Sequence, residues 1–554
     1  MSRDLLFSLA VAGGFALAAA VFAFVYARGL ALLQFYQQEE YDTGRFFAWL
    51  FRRRAFDKKA TLMLLAAIVA WFAFARFTPA LFNLAFYAVL FAALGLAAVS
   101  GWRLTRRAKK PLIMTARANR IFYVYMVLVA FYFAAALAHE DAIYRDVPML
   151  AAVFLAFFQA PPFFLAAANF VLKPYEERVN RRYLHEAEAR LKALSPVVVG
   201  VTGSYGKTTT KHILAYVLSA AAPALATPGS INTELGITRV IREELQARHK
   251  YFVAEMGAYG EGAIAKLCRL ARPSLGLITA VGLAHLERFG TPEAVFRAKF
   301  ELADGVKARG GKTIVNADAV PAALLKAYAA SNPDLVLCGQ EGGPFPLKVA
   351  LVSARQTPVG IEIKLKTGTG ILDLAAPLYG EHNAANVMMA AAAALELGLK
   401  GEVIRAALKT VPQIPHRLEV IQNPKGATVI DDAYNSNPQG FENALKVLSA
   451  VTPKGGRRIL VTPGMVELGP AHEAEHERLG RLAAEHVDIA LMVGPKRLAS
   501  FIRAFSDAKP AGAELYTFTT QREAEAWARA HAKPDDAILF ENNLPDLYEA
   551  VIEF

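Results

Sequence analysis

The chain has 554 residues, 55% of them hydrophobic, a positive mean hydropathy and a formal net charge of +12. That length allows three or four domains, and two cysteines, Cys268 and Cys338, exclude a disulfide framework or a zinc ribbon built from cysteine alone. The charge does not argue for nucleic acid, because residues 1–194 hold 23 Lys+Arg against 12 Asp+Glu while the remainder holds 38 against 37.

The basic excess therefore belongs to the apolar first third. Apolar stretches run over residues 5–27, 60–75, 77–102, 121–139 and 147–172. Crossing a hydrocarbon core takes about 20 residues, so five spans are expected, the short second one extended by a snorkelling Arg76. A signal peptide at the front is disfavoured, since its apolar run is too long and four more stretches follow. Basic residues set the topology. Residues 28–60 carry Arg28, Arg45, Arg52, Arg53, Arg54, Lys58 and Lys59; residues 101–120 carry Arg103, Arg106, Arg107, Lys109, Lys110, Arg117 and Arg120. The alternate connections carry none at 77–80 and only Arg145 at 139–147, while Lys173, Arg178, Arg181 and Arg182 follow the last stretch. This predicts a multi-pass inner-membrane protein with its N-terminus outside and its C-terminal part in the cytoplasm. A mixed aromatic and charged loop over 34–54 invites contact with a lipid headgroup, or forms an ordinary interfacial belt.

Residues 175–195 read as an amphipathic helical linker after a transmembrane domain of 1–174. From Pro196 the pattern changes to short β-branched runs alternating with helices: VVVGV at 197–201, YFVAE at 251–255, LGLITAV at 275–281 and KTIVNAD at 312–318. This predicts a parallel-sheet α/β domain over 196–412, with a β-rich patch near 347–378 and an alanine-rich helix from Asn386. A second, Rossmann-like α/β domain is expected over 413–554, with strands at 427–432, 457–464, 489–494 and 537–541.

The chemistry begins at GVTGSYGKTTT, residues 200–210, between the first strand and a helix. Backbone N–H groups and the helix N-terminus cradle phosphate, a lysine reaches the β/γ-phosphates and a Thr hydroxyl ligates Mg²⁺. The strict GxxxxGK[ST] spacing needs glycine at 201, where Val201 stands; the glycines are at 200, 203 and 206, so this is a variant loop. Gly203, Gly206, Lys207, Thr208 and Thr209 are the expected nucleotide-binding set. Ligands in open α/β sheets lie beyond the carboxyl ends of strands. Glu255 ends one strand, His285 follows another in GLAHLERFG, and Lys299 lies on the next helix. Alone, each has an ordinary reading as a helix cap, a packed histidine or a solvated charge. Together after a phosphate loop they form a candidate metal set, provided Lys299 is carbamylated, since hard cations prefer oxygen ligands.

The ordered motifs TGSYGKTTTK (202–211), TPGSINTELGI (227–237), EMGAYGEGAI (255–264), ITAVGLAHLERFGTPEAVFRAKFE (278–301), YGEHNAANV (379–387), PHRLE (415–419), DDAYNSNP (431–438) and PGMVELG (463–469) resemble those of the Mur ligases, ATP-dependent amide ligases of cell-wall synthesis. The branch resembled is the D-alanyl-D-alanine-adding one. The resemblance implies that Lys207 and Thr208 handle ATP phosphates and Mg²⁺, and that Glu255, His285 and carbamylated Lys299 hold a second Mg²⁺. It implies Asn383 at the adenine, Arg417 and Asp432 closing onto the nucleotide, and Asn232 and Asn435 facing substrate. The implied reaction activates a carboxylate as an acyl phosphate and joins it to an amino acid or dipeptide such as D-Ala-D-Ala in peptidoglycan precursor synthesis. Two departures stand out. Those enzymes begin with a soluble domain that grips the uridine nucleotide of the substrate, where this chain is apolar. Near the end they commonly carry a Lys-Gly-Ser stretch, where this chain reads FENNLPDLY (540–548). The apolar start suggests a lipid-linked or membrane-delivered precursor, with a nucleotide-linked one the other expected partner. A poly-γ-glutamate-type ligase is the alternative. An ATP-driven transporter is disfavoured, because the apolar stretches hold essentially no ionisable residue.

Overall fold

A computed structural model describes residues 3–53, 55–74, 79–107, 111–137, 147–258, 260–282, 289–357, 359–423, 426–434, 436–466 and 468–544. His285 and Asn435 lie outside the described residues, as do Arg54, Arg76, Lys109, Lys110 and Arg145. The chain divides into two compact units, one built on residues 1–179 and the other on residues 180–543.

The first unit is helical. Its elements are α1 (Arg3–Gln38), α2 (Thr43–Arg53), α3 (Lys58–Phe74), α4 (Pro79–Arg107), α5 (Ala116–Leu137), α6 (Val147–Gln159) and α7 (Pro161–Leu194), the last of which belongs to this unit as far as Val179. Small residues let the helices approach closely. A side chain at Gly101 would meet the Ala27 carbonyl at 3.0 Å, and one at Gly29 the Tyr125 ring at 2.5 Å. Phe24, Leu33, Tyr36, Leu90, Tyr125 and Phe157 fill the interior. Apolar side chains also face outward, among them Phe22, Leu62, Phe72, Tyr123, Phe131 and Phe170.

Of the five expected spans, the described residues show three or four helices long and apolar enough to cross a membrane. Phe15–Gln38, Ala85–Arg106 and Ala116–Ala135 are long and apolar enough to cross a membrane; Val153–Gln159 with Pro161–Leu194, bent by 61°, makes a fourth if the pair is one span. Helix α3 has 17 described residues, about 26 Å at 1.5 Å per residue and short of a core of about 30 Å. The last stretch breaks at Ala160, where Pro161 and Pro162 begin a new helix, the position proline favours. The expectation of essentially no ionisable residue also changes. Arg28 lies within the span Phe15–Gln38, is 1% exposed and pairs with Asp57.

The second unit holds two sheets. The first joins β1 (Val197–Thr202), β2 (Ala224–Ala226), β3 (Tyr251–Glu255), β4 (Leu275–Ile278), β5 (Lys312–Asn316), β6 (Leu335–Gln340), β7 (Val349–Thr357), β8 (Gly360–Thr367) and β9 (Gly370–Ala376) in the order β2-β3-β1-β4-β5-β6-β7-β8-β9. It is parallel from β2 through β7 and antiparallel over β7–β9. Strands β1 and β3 are continuous apolar runs because helices cover both faces. On one face lie α8 (Lys207–Ser219) and α13 (Asn383–Glu396); the other carries α9 (Glu234–Glu243), α10 (Ala263–Ala271) and α11 (Pro292–Lys307). Helix α12 (Ala322–Ala330) precedes β6, and α14 (Gly401–Leu408) packs on β9.

The second sheet runs β10 (Glu419–Ile421), β11 (Thr428–Asp432), β15 (Ala537–Glu541), β12 (Arg458–Thr462), β13 (Ile489–Val493), β14 (Glu514–Phe518), parallel except for β10. Helices α15 (Pro438–Val451), α16 (His472–His486), α17 (Ala499–Ala508) and α18 (Gln521–His531) connect its strands. Expected strands at 197–201, 251–255, 312–318, 427–432 and 537–541 are all present. The added β2, β6 and β14 are short or carry polar residues, so periodicity alone does not mark them.

Candidate active site

Of the described residues singled out in the sequence, Lys207, Thr208, Glu255 and Asn232 gather beyond the carboxyl ends of β1 and β3. The turn from β1 into α8 has two glycines that backbone geometry requires. A side chain at Gly203 would run into Thr279 Oγ1 and come within 2.9 Å of the Ala280 nitrogen. Gly206, the residue before α8, is left-handed at φ 79°, which glycine adopts at little cost. Thr279 Oγ1 donates to the carbonyls of Thr202 (3.2 Å) and Tyr205 (2.5 Å), and Ser204 N to the Ala280 carbonyl (2.8 Å), so the loop is braced by β4's continuation.

Lys207 Nζ donates to the carbonyls of Gly203 (2.7 Å) and Ser204 (3.3 Å), folded back over the loop. Burial lowers its pKa; Glu255 opposes that, while Arg417 and Lys211 add to it. Glu255 is the hub. Its Oε2 accepts from Thr208 Oγ1 (3.0 Å) and Lys211 Nζ (3.0 Å), and its Oε1 from Asn232 Nδ2 (3.1 Å). Burial pushes this carboxyl up, but Lys211, Lys207 and Asn232 outweigh it and hold it below its ordinary value. Lys299 on α11 is 2% exposed. Burial first, and then the Lys207 charge, bring its amine down to about 7, so a large share is neutral at physiological pH.

The second sheet contributes from across the unit. Arg417 lies between two left-handed residues, His416 (φ 60°) and Leu418 (φ 54°), an uncommon backbone for non-glycine residues. His416 Nδ1 against Asp431 Oδ2 (2.7 Å) and Leu418 N donating to Asp432 Oδ1 (3.0 Å) fix that kink. The Arg417 guanidinium stacks over Tyr434 at 4.2 Å, and its Nη2 approaches Thr208 Oγ1 at 3.5 Å. Asp432 and Glu541 are register partners at the ends of β11 and β15. Glu541 Oε1 accepts from Ser436 Oγ (2.5 Å). Burial lifts Asp432 to about 6, and burial together with the neighbouring Asp432 charge pushes Glu541 well up.

At the start of α13, Asn383 Nδ2 donates to the Tyr379 carbonyl (2.6 Å) and its Oδ1 accepts from Asn386 Nδ2 (2.8 Å); Thr210 Oγ1 donates on to Asn386 Oδ1 (3.1 Å). His382 beside it is neutral, its pKa brought down to about 4 by burial, and its Nδ1 has no hydrogen-bond partner. The structure therefore joins Thr208, Glu255 and Asn232 directly, and links Arg417 to Thr208. Sequence reasoning missed Lys211, Tyr434, His382 and Glu541. Lys211 was legible as the residue one turn after Lys207 and Thr208 on the same helix face. Glu541 was legible by the strand-end rule that found Glu255.

The donors around Glu255 fit a hard cation: carboxylate and hydroxyl oxygens converge there, with lysine charge within reach to balance phosphate. Residues 201–394 match the family model of the Mur ligase middle domain, and residues 416–541 that of the Mur ligase glutamate ligase domain. The UDP-N-acetylmuramoyl-tripeptide--D-alanyl-D-alanine ligase of Mycobacterium tuberculosis is 36% identical over 313 residues, 55% of this chain and 59% of that protein. The chain thus spans about three fifths of that relative's length. The Synechocystis protein of the same name is 31% identical over 361 residues, 65% of this chain and 74% of that one. Among solved structures, MurF from Acinetobacter baumannii superposes with TM-score 0.56 at 30% identity, covering 67% of this chain and 78% of that chain. MurF ligase from Thermotoga maritima in complex with ADP gives 0.56 at 25% identity, over 67% and 82%. With both domain models matched in order on one chain, it belongs to the Mur ligase family of ATP-dependent ligases.

Proposed function

We propose that this chain is a membrane-anchored ligase that spends ATP to join a carboxylate, carried on a cell-wall precursor, to D-Ala-D-Ala or a similar amine. The observation that carries the reading is the convergence on Thr208, where Glu255 comes from one strand end and Arg417 from the second sheet. The relatives' names supply the substrate class. The outward Phe22, Leu62, Phe72 and Phe131 and the apolar helices of the first unit support the anchoring.

In the reaction, a carboxylate oxygen of the precursor attacks the γ-phosphorus of ATP, the bond to the β-phosphate oxygen breaks and ADP leaves. The amine then attacks the acyl carbon, phosphate departs and the nitrogen loses a proton. Two anions must meet in the first step, so positive charge has to be in place beforehand. Lys207 on the phosphate loop and Arg417 beside Thr208 supply it. Thr208 and Glu255, with His285 and a carbamylated Lys299, would hold Mg²⁺, which offsets phosphate charge. Carbamylation needs a neutral amine: the Lys299 nitrogen adds to CO₂ and loses a proton. By the family resemblance, Asn383 would contact the adenine and Asp432, with Arg417, would close onto the nucleotide. By the same resemblance, Asn232 and Asn435 would face the substrates. The Arg417 arm closes the site against water, which an acyl phosphate requires.

The test is reconstitution in lipid with ATP and Mg²⁺, offering D-Ala-D-Ala or glutamate with soluble and lipid-linked muramoyl precursors. Phosphate release and a product of the summed mass less water are expected. ATP consumption tied to solute movement without an amide product would overturn the ligase reading. A glutamate product would favour the poly-γ-glutamate alternative, to which the FENN stretch in place of Lys-Gly-Ser leaves room.

A further inference from the structure

Among the described residues of the first unit, one part-buried arginine has no carboxylate paired with it. Arg117, the second residue of α5, donates from Nη2 to Asn169 Oδ1 (3.2 Å) on α7 and stacks its guanidinium on the Tyr41 ring at 4.4 Å. Both partners are neutral. Its Nε is buried without a hydrogen-bond partner. Neighbouring arginines are different: Arg120 forms a two-pronged pair with Glu176 (2.7 and 3.0 Å), and Arg45 pairs with Glu40 (2.9 Å). Among the described residues Arg117 has no carboxylate partner. A buried guanidinium nitrogen left unpaired is costly, so the arrangement suits an anion supplied from outside the chain.

The surroundings are rigid. Asn169 Nδ2 donates to Tyr36 OH (2.8 Å) and the Tyr41 carbonyl (3.2 Å), and Tyr36 OH meets Thr43 Oγ1 (2.7 Å). Gln37 clasps the loop before α5, donating to the Ile113 carbonyl (2.8 Å) and accepting from Ile113 N (3.0 Å). The rim is apolar and open: Ile113 is 66% exposed, and Met114 and Phe170 are exposed too. A fixed cation with an unfilled donor beside exposed apolar side chains matches an amphiphile whose polar end is a phosphate.

We propose that Arg117, held by Tyr41 and Asn169 and rimmed by Ile113, Met114 and Phe170, binds the phosphate of a lipid headgroup. This rests on the membrane-anchored reading above and adds to it the place where a lipid-borne anion is gripped.

The test uses the full chain in detergent micelles, followed by native mass spectrometry during titration with dioleoyl phosphatidylglycerol, dioleoylglycerol or inorganic phosphate. One phosphatidylglycerol is expected to bind, dioleoylglycerol at least tenfold more weakly. Inorganic phosphate at millimolar concentration should not displace the lipid. Arg117→Gln should weaken phosphatidylglycerol at least tenfold, whereas Arg106→Gln, an exposed arginine over Trp102, should leave it unchanged. Asn169→Asp keeps the arginine but neutralises it from within, and should have the same effect as Arg117→Gln if that variant misfolds. Equal binding by wild type and both variants, equal binding of dioleoylglycerol, or ready displacement by phosphate would each overturn the proposal. Flotation with phosphatidylcholine vesicles separates the two readings. Wild type that fails to float overturns the anchoring; wild type that floats without phosphatidylglycerol preference overturns only the Arg117 site.

Discussion

The Glu255–Lys211 pair allows a quantitative prediction. Lys211 has a fully buried side chain and Glu255 one that is 1% exposed, with Nζ and Oε2 3.0 Å apart. Replacing Lys211 by Met keeps the stem volume and removes the ammonium. Breaking a buried pair from one side costs about 3–5 kcal/mol. Thr208 and Asn232 still donate to the carboxylate, at 3.0 and 3.1 Å, which puts the expected cost near the lower end, about 3 kcal/mol. Glu255→Gln strands the ammonium instead, at a similar cost. The double variant leaves no buried unpaired charge, so its cost should fall short of the sum by about 2–3 kcal/mol. A chain of two units does not melt in one transition. The measurement is therefore hydrogen exchange on peptides covering α8 and β3, which reads local opening free energies. The partners titrate asymmetrically: burial holds Lys211 below its ordinary value despite Glu255, whereas Glu255 is held below its own by its partners. A depressed carboxyl stabilises above its unfolded pKa and loses that contribution as pH falls through the folded value. The gap between wild type and Lys211→Met should then narrow below pH of about 4. Additivity of the two single variants to within about 0.5 kcal/mol would refute the coupling.

Other outcomes are expected of the same site. Lys299→Ala should abolish amide formation, and short carboxylates such as acetate or formate should restore part of it; full activity in the unsupplemented variant would remove the carbamate role. Gly203→Ala places a methyl group against Thr279 in a φ of 155°, and strain of about 1–3 kcal/mol should weaken ADP binding roughly 5- to 150-fold by calorimetry; unchanged affinity would show that the loop tolerates the methyl. Asp432 and Glu541 carry pKa values raised in the folded state, so their contribution is complete below the unfolded carboxylate range and is lost as pH rises through the folded values, from about 6 for Asp432 upward. Glu541→Gln, which keeps a neutral donor, should flatten that loss in hydrogen exchange of β11 and β15; an unaltered pH profile would refute the raised Glu541 carboxyl.

What the sequence made legible has a physical pattern. Glu255 ends a parallel strand, and β1 and β3 are continuous apolar runs, so position along a strand placed that acid without any tertiary information, while Asp432 came from its motif and Glu541, at another strand end, was passed over. Lys207 and Thr208 were fixed by the turn chemistry of Gly203 and Gly206. What stayed hidden depends on partners far apart in the chain. Lys211 reads as one more basic residue until the Gly229 carbonyl and Glu255 are seen around it. Arg417 reaches Thr208 because two left-handed residues flank it, a feature no propensity predicts for His and Leu. In the first unit hydropathy identified apolar stretches but not their breaks. It also gave Arg28 to a loop, although Asp57 lets it lie inside a helix.

The end of β15 combines both cases and bears on the amine. Asn542, next after Glu541, is left-handed at φ 67°, a conformation that glycine takes freely and asparagine better than most other residues. Its Nδ2 donates to the Gly464 carbonyl (2.6 Å) and its N–H to the Asp432 carbonyl (3.1 Å), which ties β15 to the loop after β12 and to β11. FENN thus keeps a backbone turn open to glycine and sets the buried acid Glu541 beside it, in the stretch where the resembled branch commonly reads Lys-Gly-Ser. A lysine beside Asp432 would neutralise it. Glu541 cannot, since it is at best neutral, and it leaves this carboxyl edge of the sheet more negative than a lysine would. An edge of that kind favours an amine whose nearest groups are cationic or neutral over one with a carboxylate close by. Comparing D-Ala-D-Ala with its C-terminal amide as amine donors reads that difference directly. A lower KM for the amide is expected, and a strong preference for the free dipeptide would refute the inference from Glu541.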